Sequence, residues 1–127
     1  MLYENYNQIP KSLWNLKYFV PAEIACKGTG EIFVNLHALS CLDQLRSMLG
    51  YSITLSSAYR SIYHNSKVGG APLSAHSIRG GASAFDVVLN GKDKEEIRRV
   101  AERCGFKGFG LSYKSFVHLD IGKKRIW

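Results

Sequence analysis

The chain has 127 residues, 46% apolar and 21% charged, so it is expected to fold as one domain over residues 1–127 with a real core. Its net charge of +7 asks for a polyanionic neighbour, but there is no recognisable nucleic-acid module and no apolar run long enough to cross a bilayer. Cys26, Cys41 and Cys104 are too scattered for a disulfide framework or a thiolate zinc knuckle, and the opening MLYENYNQIPKSLWN lacks the pattern of a signal peptide.

In chain order, residues 1 to 32 mix aromatics with turn signals, and PAEIACKGTG predicts one short helical turn entered at Pro21 and closed by Gly28 and Gly30. From Asn35 the period becomes helical. Leu36, Leu39, Leu42 and Leu45 recur on one side, filled in by Ala38, Cys41, Met48 and Leu49, with Asn35 as N-cap and Gly50 as stop. YSITLSS (51–57) predicts a strand that delivers AYRS at its far end. Residues 61–83 read as a long polar loop, and loops of that length inside a compact domain are usually functional or disordered.

SAFDVVLN then predicts a buried strand, NG at 90–91 a turn, and Asp93 to Cys104 a second helix. Asp93 and Glu96 are spaced as a capping box, and Ile97, Val100, Ala101 and Cys104 form its apolar stripe. GFKGFGLSY is a glycine-punctuated strand or turn, and SFVHLDIG the last strand. These connections are too short for repeated βαβ units. The expected class is therefore α+β, a mainly antiparallel sheet with flanking helices.

Four residues raise the question of chemistry. His76 lies in the long loop, Asp86 in the strand after it, and His118 and Asp120 two apart on the last strand, hence on one face. Two histidines and a carboxylate are a familiar zinc set, with a fourth position left for water. The same residues also read as polar groups at strand ends and turns. His37 reads as a surface or satisfied core residue of the leucine helix, and His64 as structural or as part of a cleft.

Several ordered stretches carry a resemblance. FVPAEIACKGTG, LDQLRSMLGYSITLSSAYRS, HNSKVGGAPLSAH and GFKGFGLSYKSFVHLDIG resemble, in that order, segments of the zinc D-alanyl-D-alanine carboxypeptidase family. That family also includes murein endopeptidases and phage L-alanyl-D-glutamate endolysins. The ending HLDIGKKRIW is similar to one murein-endopeptidase branch that closes on H-x-D-x-G and then R-x-W. The family's metal motif is S-x-H-x-x-G-x-A-x-D followed by a later histidine. Ser74, His76, Ala84, Asp86 and His118 match it.

The resemblance implies a hedgehog-like, D-Ala-D-Ala-peptidase-like fold and a Zn2+ held by His76, Asp86 and His118. It further implies a monomeric peptidoglycan peptidase acting on a D-amino-acid-containing stem peptide or cross-link. Arg60, from the Tyr-Arg step, is expected on the substrate's carbonyl or carboxylate, or in a salt bridge fixing the loop. Ser74 is expected to hydrogen-bond substrate or the turn. A wall hydrolase without an export segment suits a phage lysin or virion component, made in the cytoplasm and acting on the wall after release; a fragment of a longer exported protein is the equal alternative. The alternative is a non-catalytic zinc-containing binding module of the same fold, as in hedgehog signalling domains; a nucleic-acid-binding role rests on charge alone.

Two departures stand out. The family places its Asp seven residues after the His, whereas here the gap is ten. The extra residues are expected to bulge, at about 0.3 kcal/mol of loop entropy, with Gly80 and Gly81 supplying the unusual angles. Many relatives also carry an acid three residues before the last ligand, where this chain has Ser115. Asp120 then becomes the candidate proton acceptor, or else a residue that orients a ligand.

Overall fold

The computed structural model describes residues 1–127. Its first strand, β1 (Leu2–Tyr3), pairs antiparallel with β2 (Ile32–Phe33), closing a loop that holds two 3-10 turns and the short helix α1 (Pro21–Ile24). Proline opens α1 where its missing N–H costs nothing. This two-stranded sheet is absent from the sequence-based expectation, because two-residue strands carry no period to read.

Helix α2 (Leu36–Leu49) starts where the Asn35 side chain accepts from the Ala38 N–H, and it stops at Gly50, whose φ of 76° is left-handed. Its buried side is Ala38, Leu39, Cys41, Leu42 and Leu45. Leu36 and Met48, both expected on that side, are instead exposed. Asp43 accepts from the Lys17 and Tyr18 backbone N–H groups, both at 2.9 Å, and so ties the preceding segment to α2.

Strand β3 spans only Leu55–Ser57. The expected loop that follows contains a helix, α3 (Ile62–Lys67), capped by Ser61 accepting from the His64 N–H, and a 3-10 turn at Ile78–Gly80. Strand β4 (Ala84–Val88) leads through the turn to α4 (Lys94–Cys104). Asp93 caps α4 by accepting from the Glu95 N–H. The expected reciprocal box with Glu96 does not form, because Glu96 accepts instead from the Tyr51 hydroxyl.

Three strands close the chain: β5 (Gly108–Gly110), β6 (Phe116–Asp120) and β7 (Arg125–Ile126). The five-stranded sheet has the order β3-β4-β6-β5-β7. Three of its pairings are antiparallel, but β7 runs parallel to β5, so the sheet is mixed. The class is α+β. KKRI shows no alternation, which is why β7 was invisible in the sequence.

Alternation along the central strands sorts chemistry from core. Phe85, Val87, Phe109, Val117 and Leu119 are all buried in one cluster with Leu39, Leu42 and Leu45 of α2 and Ile97 and Ala101 of α4. Each such side chain contributes roughly 1.5–3 kcal/mol when fully buried. The intervening positions, Asp86, His118, Asp120, Gly108 and Gly110, therefore share the opposite face. Helices α2 and α4 cover one side of the sheet and leave the polar row on the other. No helix is long and apolar enough to cross a membrane.

Candidate metal centre

Asp86 and His118 are direct cross-strand partners in the β4–β6 ladder, which sets their side chains side by side. His76 reaches them from the loop. Asp86 Oδ1 lies 3.2 Å from His76 Nε2 and 3.1 Å from His118 Nδ1. All three donor atoms fall within 4.8 Å of one another. A tetrahedral ion with bonds of roughly 2.0–2.1 Å has donor–donor edges of about 3.3–3.4 Å, close to the two Asp86 distances.

The outer nitrogens decide what the inner ones offer. His76 Nδ1 sits 2.7 Å from the Ala58 carbonyl oxygen, which can only accept. His118 Nε2 sits 2.7 Å from Asp120 Oδ2, again an acceptor when ionised. Each outer nitrogen must therefore carry the proton, so each neutral ring turns a lone pair toward Asp86 Oδ1. Two lone pairs facing a carboxylate repel unless protons or one metal cation lie between them. The donor set, two imidazole nitrogens and one carboxylate oxygen, fits zinc.

In the metal-free chain a proton can take the cation's place between His118 Nδ1 and Asp86 Oδ1. Burial pushes Asp86 up, but hydrogen bonds from His118 and His76 and their charge outweigh it and hold the carboxyl at about 2. Burial disfavours charged His118, yet hydrogen bonds to Asp120 and Asp86 raise it above its ordinary value. A depressed carboxylate gives stability above its unfolded value that is lost as pH falls through the folded one. A raised histidine gives stability below its unfolded value that is lost as pH rises through the folded one. Chelator-treated protein is therefore expected to melt highest between about pH 4 and 6.5 and lower on either side, whereas zinc binding strengthens with rising pH as His118 loses its proton. Melting curves with and without zinc check both slopes.

Asp120 is fully buried. Its Oδ2 lies 2.7 Å from His118 Nε2 and 3.0 Å from Arg125 Nη2, and its Oδ1 accepts from the Gly122 N–H at 3.0 Å. Burial raises its pKa, but the bonds to His118, Gly122 and Arg125 bring it below the ordinary carboxylate value. Both oxygens are thus engaged, and Asp120 itself does not line the cleft.

Gly108 and Gly110 stand opposite Asp120 and His118 across the β5–β6 ladder. A Cβ on Gly108 would lie 2.3 Å from Asp120 Oδ1, and one on Gly110 would lie 2.9 Å from both the His118 Cβ and the Trp127 ring. The glycines of GFKGFG thus make room for the site. Gly108→Ala is expected to destabilise the fold by about 1–3 kcal/mol through overpacking, read as a shifted urea midpoint, and to weaken metal binding by moving Asp120.

The ten-residue gap between His76 and Asp86 is taken up by the Ile78–Gly80 turn and two left-handed residues, Gly81 (φ 101°) and Ala82 (φ 50°). Gly80 is not left-handed, contrary to expectation. It is needed for close approach, since a Cβ there would lie 2.1 Å from the Ser74 carbonyl oxygen. Ser77 Oγ donates to that same carbonyl, and Ser83 N–H donates to Ala75 O, pinning the loop that carries His76.

The centre opens into a cleft of ≈440 Å³ lined by Arg60, Leu73, Ser74, Tyr113, Arg125 and Trp127, among others. Half-buried Arg60 donates from Nη2 to Ser74 Oγ at 3.3 Å, while its buried Nε has no partner. Burial lowers its pKa, opposed by the charge of Asp86. Ser74 Oγ also accepts from the His76 backbone N–H. His37 is on the surface, and His64 packs against Gly28 away from the cleft. Sequence reasoning missed Tyr113, Arg125 and Trp127; the R-x-W ending was the only trace of the last two, and nothing marked Tyr113.

A comparison with curated proteins returns no match. A family model described as Peptidase M15 matches residues 17–120, a span that contains Arg60, Ser74, His76, Asp86, His118 and Asp120. The chain belongs to the peptidase M15 family, whose members are zinc-dependent metallopeptidases.

Proposed function

We propose that the chain is a single-domain zinc peptidase on a hedgehog-like scaffold that hydrolyses D-amino-acid-containing stem peptides or cross-links of peptidoglycan. The observation that carries this reading is the convergence of two tautomer-locked imidazole lone pairs on the Asp86 carboxylate. His76 Nε2, Asp86 Oδ1 and His118 Nδ1 would hold the ion. Zinc, when bound, supplies a Lewis acid for the scissile carbonyl and a water acidic enough to deprotonate near neutral pH.

The chain's own residues orient the ligands and hold the substrate. Asp120 holds the His118 proton on Nε2 and so keeps Nδ1 facing inward; we assign it this positioning role in place of proton acceptor. Arg60 lines the cleft with Nη2 on Ser74 and Nε buried without a partner, and its charge there would pair with the substrate's carbonyl or carboxylate and stabilise developing negative charge. Leu73, Tyr113 and Trp127 form an apolar rim that excludes water from bound peptide. The net charge of +7 favours adsorption to an anionic wall and suits a lytic enzyme.

One observation favours a second reading, a zinc-holding binding module. Asp86 is the only carboxylate lining the cleft, so no free acid stands ready to take a proton. Digestion of purified peptidoglycan separates the two. The peptidase reading expects new muropeptides by mass spectrometry, lost with chelator and restored by zinc. Unchanged muropeptides together with zinc-dependent sedimentation on the wall would favour the module.

A further inference from the structure

The segment Arg125 to Trp127 lies beyond the matched residues 17–120, yet it closes around the centre. Backbone bonds dock it on β5: Arg125 N–H donates to Lys107 O, Trp127 N–H to Phe109 O, and Leu111 N–H to Trp127 O. From that berth Arg125 Nη2 donates to Asp120 Oδ2, the same oxygen that faces His118 Nε2. The Trp127 ring stands 5.1 Å from the His118 ring, tilted by 50°, and the Arg125 guanidinium lies 4.7 Å over Trp127. Trp127 Nε1 donates to the Tyr113 hydroxyl, and Tyr113 stacks on Phe116 with centroids 4.4 Å apart.

His118 is therefore held by Asp86 at one nitrogen, by Asp120 at the other and by Trp127 against its ring. Two of these three restraints depend on the 125–127 segment, because Arg125 also fixes the oxygen that Asp120 offers. An isolated carboxylate can swing; one pinned at Oδ1 by Gly122 and at Oδ2 by Arg125 cannot. Gly110 is the structural counterpart, since any side chain there would strike both the His118 Cβ and the Trp127 ring.

We propose that Arg125 and Trp127 are positioning residues that lock the His118 imidazole with Nδ1 turned into the metal centre. The inference rests on the zinc-peptidase reading. Its test uses the full chain with Arg125→Met, Arg125→Lys, Trp127→Leu and Trp127→Phe. Zinc affinity is read by competition with a chromophoric chelator, kcat and KM are read on peptidoglycan, and the metal-free melting temperature is recorded alongside.

Arg125→Met and Trp127→Leu are expected to weaken zinc binding by roughly 10–100-fold. kcat should fall and KM stay within about threefold when zinc is not saturating. Arg125→Lys keeps a donor for Asp120, and Trp127→Phe keeps a ring beside His118, so both recover most of the affinity. Lower melting temperatures with wild-type zinc affinity throughout would overturn the proposal, leaving the segment merely structural. A raised KM with intact zinc affinity would also overturn it, in favour of a substrate contact. A wild-type chain that takes up no zinc would instead defeat the underlying peptidase reading.

Discussion

His118→Ala is expected to yield a folded, zinc-free and inactive protein. The substitution removes one of three donors and leaves Asp86 facing His76 alone. Losing several kcal/mol of metal stabilisation corresponds to a fall of roughly 1,000-fold or more in both zinc affinity and kcat/KM. The fold should survive, because the neighbours Val117 and Leu119 carry the core contacts of β6 while His118 faces the cleft. The result matters only if three measurements agree: circular dichroism unchanged, zinc content near zero, and no new muropeptides. Activity that persists in this variant, or in the wild type after metal stripping, rules out zinc chemistry at this centre.

The second large effect concerns Asp120, for which two roles predict different results. If it orients His118, Asp120→Asn should weaken zinc binding by about 10–100-fold, with activity largely restored at saturating zinc. If it takes a proton during hydrolysis, zinc affinity should stay near wild type and kcat should fall by roughly 10²–10⁴-fold at saturating zinc. The geometry favours the first outcome, since the carboxylate is fully buried and already serves His118, Gly122 and Arg125. Asparagine can still accept from His118 through its carbonyl oxygen. That oxygen can also keep Arg125, but the amide NH2 then faces the Gly122 N–H, donor against donor, so the pin on the imidazole loosens. Asp120→Ala removes the acceptor altogether and should weaken zinc binding further.

Much of this centre was legible in the sequence for a physical reason. Strand alternation is strict, so FVHLD and AFDVV declared that Val117, Leu119, Phe85 and Val87 go one way and His118, Asp120 and Asp86 the other. The helix α2 was legible through its period and its Asn35 and Gly50 ends. Its exposed Leu36 was not, because periodicity locates a face but not the neighbour that covers it. The α3 helix hid among Ser, Asn and Gly residues whose composition reads as loop, although Ser61 holds an N-cap position. Partner choice was hidden too. Nothing local to Asp120 says that its carboxylate turns toward His118 and Arg125 rather than into the cleft. Nor does KKRIW announce a parallel strand that brings Arg125 and Trp127 back to the centre.

The most direct test is a zinc-edge anomalous difference map from crystals of the zinc-loaded protein. A single peak within roughly 2.0–2.2 Å of His76 Nε2, Asp86 Oδ1 and His118 Nδ1 is the predicted result. A zinc-loaded crystal with no peak among those three atoms, or with its ion bound elsewhere, would contradict the account.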